Sequence, residues 1–153
     1  MTQEDKKLLL KDLCARLPHK VKMYVGEDLA MTLRQIDYKG FCESWENGDF
    51  KCHSSWMLPY LRPISSMTED EMDKLFDILH IDKDGKDEDW IKINDVYGIK
   101  FFFPTGKWIE NVAEAYDYLY SIHIDFRGLI HKGLAIEVTP ENNPYENDAR
   151  RVD

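Results

Sequence analysis

The chain has 153 residues, 43% hydrophobic and 12% aromatic, which is ordinary globular composition and rules against a disordered or fibrous protein. A chain of this length is expected to form one domain with a sizeable core, without a metal or disulfide staple. Its 20 basic and 29 acidic side chains give a net charge of −9, which repels polyanions and argues against nucleic acid as a partner, although a DNA-mimic inhibitor would share that charge.

Cys14, Cys42 and Cys52 are odd in number and form no CxxC, so a reduced, cytoplasmic setting is expected. The opening "MTQEDKKLLLKDL" is charged and its apolar run is three leucines, which is neither a signal peptide nor a membrane span. It reads instead as a helix capped by Thr2 with Asp5. Leu9, Leu10, Leu13, Cys14 and Leu17 recur as one apolar stripe, which predicts that Cys14 is packed inside, and Pro18 ends the helix.

From Lys20 to about Met57 the texture changes. "VKMYV", "LAMTLRQIDY", "GFCESW" and "DFKCHSSWM" are short, β-branched or aromatic, and separated by turn residues, with Asn47-Gly48 as a hairpin signal. Three or four antiparallel strands are predicted, curled into a small barrel-like sheet. Pro59 and Pro63 suggest an extended connector. Thr68 then fits an N-cap, Glu71 its capping-box acid, and Met67 and Met72 the flanking hydrophobic pair. A helix over Glu69–Leu79 follows, with Met72, Leu75, Phe76 and Leu79 as its buried stripe.

The next stretch, "HIDKDGKDEDW", has the look of a calcium loop. With Gly85 at the sixth position, His80 falls at the first and Ile91 at the twelfth. Starting at Asp82 places Lys86 at the fifth and Ile93 at the twelfth. Each register lacks the acid that closes the coordination sphere, so a solvated turn is predicted. "DWIKINDVYGIKFFF" reads as two strands joined around Asn94–Gly98. Beyond Pro104 and Thr105, a further helix is predicted from the apolar face of Trp108, Ile109, Val112, Ala115, Tyr116 and Leu119. Asp125 is placed to cap a short helix over Phe126–Lys132 that Gly133 ends, and "AIEV" is a candidate last strand. Residues 139–153 form a polar tail that Tyr145 is placed to pin. No internal repeat or long linker is apparent. The expected architecture is a single α+β domain over 1–138. Its first part, 1–65, holds a helix and the sheet, and its second, 66–138, holds helices packed around a β-hairpin.

Three stretches, "LLLKDLCARLPHKVK", "LPYLRPISSMTEDEM" and "YDYLYSIHIDFRGLIHKGLAIEV", together resemble a family of short proteins from gut Bacteroidales genomes, phages and mobile elements. "DFRGLIHKGLA" is the most specific anchor, and the chain departs from the family by extra sequence around Asp82–Thr105. The resemblance implies a compact α+β fold and no particular activity. A mobile-element setting would suit an accessory acting on host proteins.

No nucleotide loop is present, since "FPTGKW" lacks the spacing that wraps amides around phosphates. There is no GxSxG or HExxH. Cys52 and His53 are neighbours that a strand would point to opposite faces, so no metal or other cofactor is expected. The remaining cluster is His123, Asp125 and Arg127, with Tyr118 and Tyr120 near it. It has the residue types for acid–base work or for holding a small ligand. A structural role competes: Asp125 as a cap, Arg127 as a tether to a carboxylate or to carbonyls, His123 as a helix terminator. The sequence therefore favours a non-catalytic binding or regulatory protein with a protein partner, and a small enzyme or small-molecule binder built on this cluster is the alternative.

Tight calcium binding is not expected. Calorimetric titration should show no micromolar site, and such a site lost on Asp82→Asn would contradict the failed register.

Overall fold

A computed structural model describes residues 1–26, 29–37, 41–46, 50–55, 57–81, 91–94, 98–101 and 111–146. The Asn47-Gly48 turn, the Asp82–Trp90 stretch, the helix start around Trp108 and the end of the tail lie outside the described residues. So do the side chains of Cys42, Cys52 and His53.

The chain opens on helix α1, Gln3–Arg16. Thr2 closes a capping box with Asp5: the Asp5 amide donates to Thr2 Oγ1 at 3.1 Å, and the Thr2 amide donates to Asp5 Oδ2 at 2.9 Å. That reciprocal pair satisfies two helix-end donors and holds the Asp5 carboxyl below its ordinary range, the backbone bond from Thr2 being the main cause. A 3-10 turn over Leu17–His19 contains Pro18, and Lys20 leaves it in the left-handed region at φ 57°.

The buried face of α1 differs from the expected stripe. It is Leu9, Asp12, Leu13 and Arg16, while Cys14 is exposed and Leu10 only partly covered. The physical reason is an ion pair. Arg16 Nε donates to Asp12 Oδ2 at 2.6 Å and Nη2 to Oδ1 at 3.3 Å, with both side chains fully buried. One turn apart, the two charges neutralise each other, and the aliphatic stem of Arg16 joins the apolar face.

Strands β1 (Lys22–Tyr24), β2 (Ala30–Ile36), β3 (Phe41–Glu46), β4 (Phe50–Ser55), β5 (Leu58–Leu61) and β8 (Ile136–Glu137) form one sheet in the order β4-β3-β2-β1-β5-β8. The pairings β1–β2, β1–β5, β2–β3 and β3–β4 are antiparallel, with a register shift between Leu33 and Gln35. β5–β8 is parallel. The sheet is open, which corrects the barrel-like expectation: β8 is two residues long and pairs with β5 rather than closing onto β4. The proline-bearing "LPYL" is a strand and not a mere connector. Pro59 lies opposite Met23, and both positions that pair with β8, Tyr60 and Leu61, come after it, so the missing amide leaves that ladder whole.

A parallel pair requires a long crossover. Here it spans Pro63–Gly128, which forms a compact unit of its own, and the residues from Leu129 onward complete the unit begun by Met1–Arg62. The core of the first unit joins Leu9 and Leu13 of α1 to Val21, Met23, Leu33, Met57 and Leu61 of the sheet and to Leu129, Leu134 and Ala135. The polar tail belongs to it as well, and Tyr145 pins it as expected: its hydroxyl donates to the Tyr60 carbonyl at 2.7 Å.

The second unit holds α2 (Glu69–Leu79), the hairpin of β6 (Ile91–Asn94) and β7 (Gly98–Phe101), and α3 (Val112–Ser121). α2 has the boundaries and the Thr68–Glu71 capping box read from the sequence, with bonds of 2.9 and 3.2 Å. α2 packs on α3, and Leu75, Leu79, Ala115, Leu119 and Tyr120 are buried. No described helix is long and apolar enough to cross a membrane.

Removing one member of the α1 ion pair should be severe. Arg16→Ala or Asp12→Ala is expected to cost about 3–5 kcal/mol, whereas Asp12→Leu with Arg16→Met should lie much nearer wild type. Denaturant midpoints of the two single variants and the double variant check this; equal losses in all three would contradict it.

Candidate functional site

The distinctive "HIDFR" segment begins where α3 ends. Ile122 caps the helix, and His123 turns left-handed at φ 62°. The His123 amide donates to the Tyr120 carbonyl at 3.1 Å and the Ile124 amide to the Leu119 carbonyl at 3.1 Å. This is a Schellman closure with a buried apolar residue just beyond it, Ile124. The expectation that His123 closes the helix therefore holds, but its backbone does the closing. α2 ends in the same way: His80 is left-handed at φ 53°, its amide donates to Asp77, and the amide of buried Ile81 donates to Phe76. The pair His-Ile thus closes both helices in the same way, a repeat of local structure that a search for long repeats misses.

Asp125 is 2% exposed. It does not cap a helix over Phe126–Lys132, because that stretch is a series of turns. Gly128, buried and at φ 72°, interrupts it, so that only a single turn from Leu129 remains. Gly133 does end that turn in the left-handed conformation, with Gly133 to Ile130 at 3.0 Å and Leu134 to Leu129 at 2.9 Å.

Phe126 is the centre of the site. Its ring lies 4.9 Å from Tyr120 in an edge-on arrangement and 5.2 Å from Tyr116. The Arg127 guanidinium sits 5.2 Å from the same ring, and its Nη2 donates to the Tyr120 hydroxyl at 2.7 Å. Tyr116 and Tyr120 stand one turn apart on α3, which is why they share a face. Burial pushes the Tyr116 phenol above its ordinary pKa, the nearby Arg127 charge pulls it down, and Tyr120 adds to the rise. One partner of Arg127 is thus a phenol, which the sequence reading did not name.

The hairpin approaches the same segment through its backbone. The Ile99 amide donates to the Phe126 carbonyl at 3.0 Å. A Cβ at Gly98 would lie 2.0 Å from that carbonyl oxygen, so only glycine fits there, and φ +84° requires it independently.

Of the residues singled out by sequence, Arg127 and Tyr120 meet directly and Asp125 is enclosed close by in the chain. Tyr118 faces elsewhere: two positions from both Tyr116 and Tyr120 on α3, its ring lies 4.8 Å from Lys74 Nζ of α2. Tyr116, Phe126 and Gly98 were missed as parts of one site. The i, i+4 tyrosines of α3 were the available signal for the first; nothing local signals that Gly98 meets Phe126. Among the described residues no group of three or more His, Cys, Asp or Glu side chains is arranged to hold a metal. Chemically, the cluster is suited to holding a chain in place: an aromatic ring between two phenols, with a cation across it and one charge-assisted hydrogen bond.

Comparison of the chain with protein-family models, curated proteins and solved structures finds no match.

Gly98→Ala should cost roughly 2–4 kcal/mol, from left-handed strain plus the clash with Phe126. Gly133 is also left-handed, but a Cβ there meets nothing within 4 Å. Gly133→Ala should therefore cost only the strain, about 1–2 kcal/mol. Chemical denaturation of both variants tests the order; Gly98→Ala as mild as Gly133→Ala would show that the hairpin does not approach Phe126 this closely.

Proposed function

We propose that this is a non-catalytic binding or regulatory protein that works in the cytoplasm on protein partners, an accessory of a phage or mobile element directed at host proteins. The observation that carries the non-catalytic reading is how the distinctive segment uses its side chains. Arg127 lies across Phe126 and bonds the Tyr120 hydroxyl, Phe126 is held by two tyrosines, and Asp125 is almost wholly buried. Acid–base work on a substrate asks instead for reactive groups converging on a place where a reacting atom can sit. The cytoplasmic setting is supported by the odd, CxxC-free cysteines and by Cys14 as a free thiol exposed on α1. The mobile-element role rests on the resemblance of the three anchor stretches, and the acidic charge favours protein over nucleic acid as partner.

Two measurements test this. Arg127→Ala and Asp125→Ala should each melt below wild type, by an equivalent of about 1–3 kcal/mol, since each leaves buried polar partners behind. Groups kept for catalysis are often held at some cost to stability. If both variants melt at or above the wild-type temperature, His123, Asp125 and Arg127 become a ligand site and the non-catalytic reading fails. Affinity capture from a Bacteroidales lysate, followed by titration with the purified captured protein, should give a saturable complex; failure of every captured protein to bind when purified would remove the protein-partner reading.

A further inference from the structure

Each of the three described α-helices is preceded by the residues of a capping box, but only two of the boxes are closed. Thr2 with Asp5 and Thr68 with Glu71 each exchange two bonds between side chain and backbone amide. α3 begins Asn111-Val112-Ala113-Glu114, an N-cap asparagine with an acid at the third helical position, which is the same layout. Yet Asn111 makes no side-chain cap bond. Its backbone is left-handed at φ 63°, where the two threonines are extended at φ −73° and −75°.

The Asn111 carboxamide is turned to the end of α2 instead. Its Nδ2 donates to the Ile78 carbonyl at 3.4 Å, one of the carbonyls that a helix end leaves over, and lies 3.1 Å from Nε2 of His80. An amide nitrogen carries only donors, so this contact requires His80 Nε2 as an acceptor, in a neutral imidazole with its proton on Nδ1. Turning the carboxamide over would set Oδ1 against the Ile78 carbonyl oxygen, two acceptors facing each other. The two contacts together therefore select the neutral histidine. Protonation would put an N–H on Nε2 directly against the N–H of the amide.

We propose that His80 and Asn111 form a proton-operated switch at the joint of α2 and α3. With His80 neutral, Asn111 is a tether across the joint. With His80 protonated, Asn111 leaves the tether, returns to extended backbone and closes the capping box with Glu114. The tethered state keeps left-handed strain at Asn111 and leaves the Glu114 amide without the bond that the Asp5 and Glu71 amides have. The capped state relieves both and gives up the contacts with Ile78 and His80. Toward this end of the two helices the charged groups are Lys74 and Asp77 on α2 and Glu114 and Asp117 on α3. Lys74 lies against Tyr118. The carboxylates and the carbonyl end of α2 favour an imidazolium, and the Asn111 amide opposes it. The tether therefore contributes at neutral and alkaline pH and is lost as pH falls from about 8 to about 5, the range in which a histidine changes charge. The device lies within the second unit and does not depend on the reading of the Phe126 site.

NMR on the full-length chain, titrated from about pH 8 to about pH 5, tests it. The protection factor of the Glu114 amide should rise about tenfold or more as pH falls. Over the same titration the contact between the Asn111 carboxamide and the His80 ring should disappear. In His80→Gln, whose side-chain oxygen accepts at every pH, Glu114 should stay at the low protection of the alkaline wild type. A flat Glu114 profile in the wild type would overturn the switch. An equal rise in His80→Gln would overturn the role of His80. A carboxamide contact that persists at the acid end would mean that the amide turns over in place, which overturns the release.

Discussion

The left-handed helix stop organises much of this chain. The two helices that end at His80 and His123, and the turn that ends at Gly133, all close with the same pair of bonds, and each is followed by a buried apolar residue, Ile81, Ile124 or Leu134. A chain that leaves a helix this way turns sharply and delivers its next side chain into the apolar interior. At His123 the consequence is direct. Because Ile124 is buried immediately past the stop, Phe126 comes back beneath the face of α3 that carries Tyr116 and Tyr120, and its carbonyl is left to receive the Ile99 amide. Two of the three stops are histidines rather than glycine. Each carries left-handed strain of about 1–2 kcal/mol that the surrounding contacts must outweigh. At His80 one such contact is in view: Nε2 lies 3.1 Å from Nδ2 of Asn111, the residue that precedes α3, which ties the end of α2 to the start of α3.

The first unit depends on a different device. Its core is largely aliphatic, yet its principal helix carries a fully buried aspartate and arginine. Such a pair adds little net stability, because desolvating two charges offsets most of their attraction. Its two members stand one turn apart on one face, so a rotation of the helix carries both inward or outward together. The apolar residues alone, with Leu8, Leu9, Leu10, Leu13 and Leu17 spread round much of the cylinder, would discriminate poorly among rotations. The face that is buried carries Leu9, Asp12, Leu13 and Arg16, and Cys14 lies outside it.

Where the sequence was legible, the determinants are local. Both capping boxes lie within four consecutive residues, and α2 has the limits that Thr68 and the apolar spacing imply. The β6–β7 hairpin and the terminator role of Gly133 are local in the same sense. The α+β class followed from the change in texture after α1. The parallel β5–β8 pair was not legible, because its strands are separated by the whole of the second unit and β8 is too short to announce itself. The ion pair was not legible either, since a scan that counts Asp12 and Arg16 as polar assigns them to the outside. The helix expected after Asp125 failed on one residue: Gly128 lies within the expected span, and its positive φ breaks the segment there. The candidate site was half legible. Arg127 and Asp125 were identified, but their aromatic surroundings depend on contacts with residues distant along the chain.

The "DFRGLIHKGLA" stretch therefore divides its labour at Gly128. Before the glycine, Phe126 and Arg127 complete the aromatic cluster of the crossover unit. After it, Leu129, Leu134 and Ala135 enter the core that holds α1 and the sheet. A segment that serves two cores is constrained on both sides, and this accounts for its dense mixture of glycines, aromatic and aliphatic residues. Here the neighbours are fixed as tightly as the polar groups: Gly128 by its backbone, Phe126 by two rings, Leu129 by full burial. The same few residues therefore carry both the turn at Gly128 and the packing on either side of it.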